Sequence, residues 1–264
     1  MSSQTLQGKT ALITGASSGL GVDFARQLSD LGCHLILVAR REDRLQAVQN
    51  ELRARHPLRV EIISLDLTTT DAAQLLYDQV VTLGMPVDIL INNAGFGLHG
   101  SFSAMEWARL EQLIDLDIKV LVHLTHVFLP DMLARRNGYI LQVASIAACQ
   151  PSPGYAVYAA AKAFVWNFSE ALDYELKGSG VSCSALLPGL TATEFMDVAG
   201  QGPTLYQQVH MMRSEDVVRS GIDALRKRRR YVITGWLNRV MAWFSPIMPR
   251  SFSTTIAHWL MRDG

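Results

Sequence analysis

Short apolar runs alternate with longer segments of helical periodicity along this 264-residue chain, and that alternation constrains the fold most. The runs are Thr10–Thr14, His34–Ala39, Val60–Leu65, Asp88–Ile91, Tyr139–Val143, Val181–Leu187 and Tyr231–Thr234. Between them lie helical patterns at Val22–Leu31, Glu42–Arg55, Asp71–Leu83, Ser103–Leu133, Tyr155–Lys177 and Ser214–Leu225. Runs of four to seven mostly apolar residues suit strands buried on both faces, and the intervening segments are long enough to be crossover helices. The pattern predicts an α/β fold: a doubly wound, parallel, seven-stranded sheet between two helical layers. The length fits one domain spanning 1–264, with 236–264 as an aromatic extension.

The first run ends in Thr14-Gly15-Ala16-Ser17-Ser18-Gly19-Leu20-Gly21, and a helix follows. Glycines let backbone approach an anion, and a helix start offers free N–H groups, so this turn is a candidate phosphate site. Its spacing is Gly-x-x-x-Gly-x-Gly rather than the commoner dinucleotide fingerprint. The second run stops at Arg40-Arg41. An acid at that strand end favours a free ribose 2′-hydroxyl, whereas an arginine favours a 2′-phosphate, so Arg40 is the candidate phosphate partner. Asp66 and Asn92-Asn93-Ala94-Gly95 close the next two strands on the same edge of the sheet. Ser145 lies just beyond the fifth run, and Pro188-Gly189 beyond the sixth.

Tyr158 and Lys162 stand four apart in an alanine-rich helical segment, one turn from each other on one face. A cation beside a phenol stabilises the phenolate and lowers its pKa, which suits a proton donor to a carbonyl oxygen. Ser214 is a candidate helix cap, with Glu215 and Asp216 favourable in the first turn. His123 and His126, only three apart with no further ligand nearby, read as solvated or hydrogen-bonded rather than metal-binding.

In this order the motifs resemble those of the short-chain dehydrogenase/reductase family, whose single-domain Rossmann fold they imply. Thr14-Gly15-x-x-x-Gly19-x-Gly21, Asp66, Asn92-Asn93-Ala94-Gly95, Ser145, Tyr158-x-x-x-Lys162 and Pro188-Gly189 with Thr193 carry the resemblance. It implies that Gly15, Ser17, Ser18, Gly19, Leu20 and Gly21 line the cofactor diphosphate and ribose. Arg40 would hold the 2′-phosphate of NADP, preferred over NADH, and Asp66 and Leu67 would border the adenine. Asn92, Ala94 and Gly95 would pass beneath the adenine ribose, and Pro188, Gly189 and Thr193 would meet the nicotinamide end. Tyr158 is implied as acid/base, Lys162 as ribose ligand and modulator of the tyrosine, and Ser145 as donor to the substrate oxygen. Asp117 stands where many members carry asparagine. If only its carbonyl holds a water, aspartate substitutes; if its side chain matters, its charge opposes phenolate formation.

The activity expected is NADP-dependent hydride transfer between nicotinamide and a ketone or secondary alcohol, as a reductase of an apolar acyl or steroid-like carbonyl. The alternative is a dinucleotide-binding sensor or scaffold without turnover. The family also implies a homodimer or homotetramer paired through the two long helices. Twenty-four basic and 24 acidic side chains leave no net charge, so nucleic acid is not an expected partner. Three scattered cysteines and no signal-like or membrane-spanning run point to a reducing cytoplasm. Residues 191–212 read as a mobile loop or short helices beside the site. Residues 213–264 carry ten Lys/Arg against four Asp/Glu, with the run Arg226–Arg230 and an aromatic tail from Trp236. That tail has three competing readings: wall of an apolar substrate pocket, membrane contact, or an oligomer contact or solvated helix end.

Overall fold

Strand β1 (Thr10–Thr14) is the hinge of the architecture, since it pairs in parallel with β2 (His34–Ala39) on one side and β4 (Ile89–Asn92) on the other. With β3 (Val60–Ser64), β5 (Gly138–Val143), β6 (Val181–Leu187) and β7 (Tyr231–Ile233), the order is β3-β2-β1-β4-β5-β6-β7, and every pairing is parallel. The computed structural model describes residues 5–195, 199–200, 211–245 and 247–260. Strand order reverses between β1 and β4, and the carboxyl ends of strands at such a reversal open a crevice where ligands bind.

Alternate side chains of each strand feed opposite layers. Ile13, Leu35, Leu37, Ile91 and Leu141 meet helices α1 (Gly19–Asp30), α2 (Glu42–Arg55) and the helix Ser214–Arg226 through Phe24, Leu28, Leu45, Leu52, Val217 and Ile222. Leu12, Ile36, Leu90 and Ile140 face the other way, toward Leu76 and Val80 of α3 (Ala72–Leu83) and a long helical segment carrying Leu124 and Phe128. Two-sided burial is why these strands read as unbroken apolar runs.

That long segment differs from the uninterrupted Ser103–Leu133 helix expected. A 3₁₀ turn occupies Phe102–Ala104, α4 starts at Trp107 and runs to Ile114, a π turn covers Asp115–Val120, and α5 continues from Leu121 to Ala134. The π turn inserts one residue's rotation, so Asp117 turns inward while Val120, Leu124 and Phe128 keep their core stripe. Helix α6 (Ala156–Glu175) carries Tyr158 and Lys162 as expected. In helix α7 (Ser214–Arg226) the serine is already the first helical residue, so Arg213 rather than Ser214 holds the N-cap position, and it makes no side-chain capping bond. Glu215 and Asp216 do sit in its first turn. The tail forms α8 (Trp236–Phe244) and α9 (Arg250–Leu260). Most of the loop expected between Thr191 and Met212 lies outside the described residues.

Candidate active site

The site is built outward from the β1 turn. Gly15 (φ +68°) and Gly19 (φ +52°) adopt left-handed conformations that side chains disfavour. A Cβ on Gly15 would stand 3.0 Å from the Cα of Ala94, so the turn packs directly on the end of β4. Gly21 serves packing rather than lining: a Cβ there would run into the carbonyl oxygen of Gly15. Thr14 Oγ1 accepts from the amides of Asn93 and Ala94, both at 3.0 Å, and locks the two strand ends together. No side chain caps the start of α1 and no acid lies in its first turn, leaving its N–H groups and positive end available to an anion.

At the end of β2 the two arginines part. Arg40 extends into solvent, 3.8 Å from Asp66. Arg41, to which the sequence assigns no role, folds back over the glycine turn. Its Nη2 donates to Ser17 Oγ at 3.1 Å and Ser18 Oγ at 2.8 Å, and its Nη1 to Glu194 at 3.3 Å. Arg44 donates to the same carboxylate at 2.7 Å, and the two arginines hold Glu194 below the usual carboxylate range. The bonds from Thr68 and the charge of Arg40 outweigh burial at Asp66 and lower its pKa.

The chemical end lies where β5, the π turn and α6 converge. Ser145 caps a short 3₁₀ turn, its Oγ accepting from Ala147 N at 3.2 Å. Tyr158 and Lys162 are nearly buried, and Lys162 Nζ donates to the carbonyl of Val143 at 3.1 Å. Asp117 Oδ2 lies 2.9 Å from the same ammonium, while Oδ1 accepts from the amide of Phe96 at 3.1 Å. The pair is an ion pair by distance, although Oδ2 lacks a well-aligned hydrogen bond. Burial pushes the Asp117 carboxyl up, opposed by Lys162 and the Phe96 amide. Burial, and then the charge of Asp117, pushes the Tyr158 phenol above its ordinary range, against the lowering effect of its bond to Ser145. The sequence suggested that Lys162 lowers this pKa; here Asp117 sits against the lysine and opposes that effect.

One cavity of about 490 Å³ spans both ends. Gly15, Ser17, Ser18, Gly19, Leu20, Arg40, Asp66 and Leu67 line its nucleotide half, with Ala94 and Gly95 between the halves. Ser145, Tyr158, Lys162, Pro188, Gly189 and Thr193 line the other half. Asn92 does not. Strand alternation turns it into the sheet's buried interior, where Nδ2 donates to Gln142 at 2.9 Å and Thr125 at 3.1 Å. Its neighbour Asn93 lines the cavity instead, donating through Nδ2 to the Thr14 carbonyl at 2.9 Å. Asp117 stands behind Lys162 rather than on the cavity wall.

Several lining residues carried no sequence signal of their own. Phe195 packs on Tyr158 with ring centroids 5.3 Å apart, and the ring of Tyr155 lies 5.8 Å from that of Tyr158. Met241, Ala242 and Ala257 bring both tail helices to the wall.

Residues 9–203 match the short chain dehydrogenase family profile. The chain belongs to that family. It is 38% identical over 213 residues to sulfoacetaldehyde reductase 2 of Chromohalobacter salexigens, covering 78% of this chain and 84% of that protein. It is 29% identical over 250 residues to the very-long-chain 3-oxoacyl-CoA reductase of Mus musculus, covering 92% of this chain and 76% of that protein. A short-chain dehydrogenase from Sphingobium yanoikuyae in complex with NADPH superposes with a TM-score of 0.82 at 32% identity, over 90% of this chain and 93% of that one. A short-chain dehydrogenase/reductase from Burkholderia phymatum in complex with NAD gives 0.82 at 27% identity, over 91% and 94%. The protein is therefore an NAD(P)-dependent oxidoreductase of this family. The close-packed glycine turn, the uncapped start of α1 and the serines held by Arg41 fit a nicotinamide dinucleotide. When bound, the cofactor supplies hydride exchange at its nicotinamide ring.

Proposed function

We propose that this short-chain dehydrogenase/reductase is an NADPH-dependent reductase of a bulky, largely apolar ketone. The wall that α8 and α9 give the cavity carries the substrate half of this reading. Met241, Ala242 and Ala257 add apolar wall to the cavity, and Phe195 and Tyr155 pack beside Tyr158. Residues 236–260 contain no Asp or Glu. Such a surface rewards buried area rather than polar contacts. A relative acting on 3-oxoacyl-CoA is compatible with it, whereas the sulfoacetaldehyde reductase shows that small polar aldehydes are also handled on this fold.

The cofactor half rests on Arg40 and Arg41, two guanidinium groups at the end of β2 with no acid among the terminal residues of that strand. Guanidinium forks match a phosphate dianion, and Ser17 and Ser18 extend the set with hydroxyl donors. In the proposed chemistry Ser145 donates a hydrogen bond to the carbonyl oxygen, and Tyr158 gives it a proton as negative charge grows there. Lys162 orients the nicotinamide ribose. The 236–264 tail is proposed to be part of the catalytic domain, and the working unit a homo-oligomer.

A panel of ketones graded by size, assayed with NADPH and with NADH by nicotinamide absorbance, tests the proposal. Bulky apolar ketones reduced with NADPH support it. Turnover confined to small polar carbonyls, or equal use of both nucleotides, rejects the corresponding half.

A further inference from the structure

Helix α8 has two unlike faces. Met241 and Ala242 turn toward the cavity that holds Tyr158, and buried Asn238 anchors the same side by donating to the Thr234 carbonyl at 2.8 Å. Opposite them, Trp236, Val240 and Trp243 recur at intervals of four and three, which makes one stripe along the helix. They are 74%, 43% and 67% exposed, and Ile247, just past the helix, prolongs the stripe at 69%. Helix α9 repeats the arrangement: Ser253 and Ala257 are buried, while Phe252 and Trp259 face outward. Apolar groups left in water this way mark an interaction surface.

Charge decides between occupants. From Trp236 to Leu260 the chain has no acid, and Arg239 and Arg250 are its only Lys or Arg side chains. An isologous contact with a second copy sets the same patch against itself, so neither tail brings a carboxylate to the other's arginines, of which Arg239 also donates to the Ile233 carbonyl at 3.0 Å. A lipid headgroup layer supplies the complementary phosphates, and tryptophan is enriched at that depth. The run Arg226–Arg230 contributes little. It precedes β7 whereas α8 follows it, so the two lie at opposite ends of that edge strand. Arg228 there donates to the Gly180 carbonyl, and Arg230 pairs with Asp173 at 3.6 Å.

We propose that α8 and α9 seat this protein on a lipid bilayer surface, with Trp236, Val240, Trp243 and Ile247 entering the interface in the plane of the membrane. No helix among the described residues is long and apolar enough to cross one, so the contact is peripheral. The cavity wall and the lipid-facing stripe are then two sides of the same helix, and an apolar substrate passes from bilayer to Tyr158 around it. Only this last step depends on the proposed substrate class; lipid binding does not.

The test is flotation of the full chain with phosphatidylcholine vesicles, with and without phosphatidylserine. The expected result is co-flotation with both, stronger with the anionic lipid and only weakly reduced by salt, because few cations take part. Trp236→Ser with Trp243→Ser should weaken partitioning about tenfold or more while melting temperature and NADPH affinity hold. Lys227→Ala with Arg229→Ala should leave flotation unchanged. No flotation with either lipid overturns the proposal, as does flotation that survives the tryptophan changes or is abolished by the basic-run changes. A wild-type dimer split by the tryptophan changes, with no vesicle binding, assigns the stripe to a second copy instead. Flotation without ketone turnover would sustain the lipid surface and reject the reductase reading, so the two failures are distinguishable.

Discussion

Asp117 and Lys162 form a closed ion pair, Oδ2 to Nζ 2.9 Å, with side chains 0% and 6% exposed. Burial raises the Tyr158 pKa most, and the Asp117 carboxylate, which offsets the cation that would stabilise a phenolate, raises it further. Reduction needs the phenol and should stay flat until pH approaches that raised pKa. Oxidation needs the phenolate and should climb with pH. Asp117→Asn removes the negative charge and lowers the tyrosine pKa. The oxidative limb then moves to lower pH, and the reductive rate begins its alkaline fall earlier. Profiles of kcat/KM against pH in both directions check this, and superimposable curves would remove Asp117 from proton control.

Tyr158→Phe deletes the proton donor but little volume. Turnover should disappear while NADPH affinity stays near wild type, which also separates an enzyme from a dinucleotide-binding scaffold. Lys162→Met should impair both, because the lysine is also proposed to hold the nicotinamide ribose. Binding by fluorescence titration alongside single-turnover absorbance distinguishes the two variants.

Cofactor choice should depend on two arginines rather than one. Arg40→Ala and Arg41→Ala should each weaken NADPH by about 1.5–3 kcal/mol, the range for hydrogen bonds to charged groups. NADH should be nearly unaffected. Arg41→Ala has an added signature: Ser17 and Ser18 lose the donor that orients their hydroxyls. Equal losses for both nucleotides would place these arginines outside the phosphate site.

How far the sequence could lead depends on the range of each signal. Strands β1, β2 and β6 and helix α2 match their expected bounds, because apolar runs, glycines and prolines mark them locally. The Tyr158–Lys162 face was legible for the same reason. A π turn adds one residue within an otherwise helical periodicity, so nothing in the apolar spacing announced the inward turn of Asp117. Asn92 and Asn93 show how fine the margin is in a strand: adjacent residues face opposite sides, and the motif alone did not say which meets the cavity. Arg41 was passed over because its partners Ser17 and Ser18 are more than 20 residues away. Met241 and Ala257 reach the wall only through tertiary packing of the tail.

The tail wall gives its own kinetic test. Met241→Glu sets a charge against an apolar substrate and should raise KM for a bulky ketone, costing about 1–3 kcal/mol of discrimination, with NADPH affinity unchanged. Truncation after Gly235 should act in the same direction. A folded truncation with wild-type KM would detach the tail from substrate binding.

Assembly should use the long helices. Trp107 and Ile114 of α4 and Phe164 and Tyr174 of α6 are exposed, and Phe164 stacks on Phe168 at 6.0 Å. Sedimentation at micromolar concentration should show dimers or tetramers that Phe164→Glu dissociates. Particles of only 29.2 kDa in the wild type would reject this face.

The substrate side of the cavity has an exchangeable part. Thr191 and Met212 form an isolated parallel bridge, with Met212 N donating to the Leu190 carbonyl at 2.8 Å and Ala192 N to the Met212 carbonyl at 3.0 Å. The two ends of this excursion are therefore clasped together just beyond β6, and Glu194, Phe195 and Ala199 touch the scaffold within it. Whatever lies between can lengthen, shorten or change composition without shifting the register of any strand, since doubling such an excursion costs only about 0.6 kcal/mol in closure entropy. The clasp makes that stretch a cassette only in part: Glu194, held by Arg41 and Arg44, and Phe195, packed on Tyr158, lie inside it, so a splice that spares the nucleotide grip and the proton donor must keep the chain from Thr191 through Phe195.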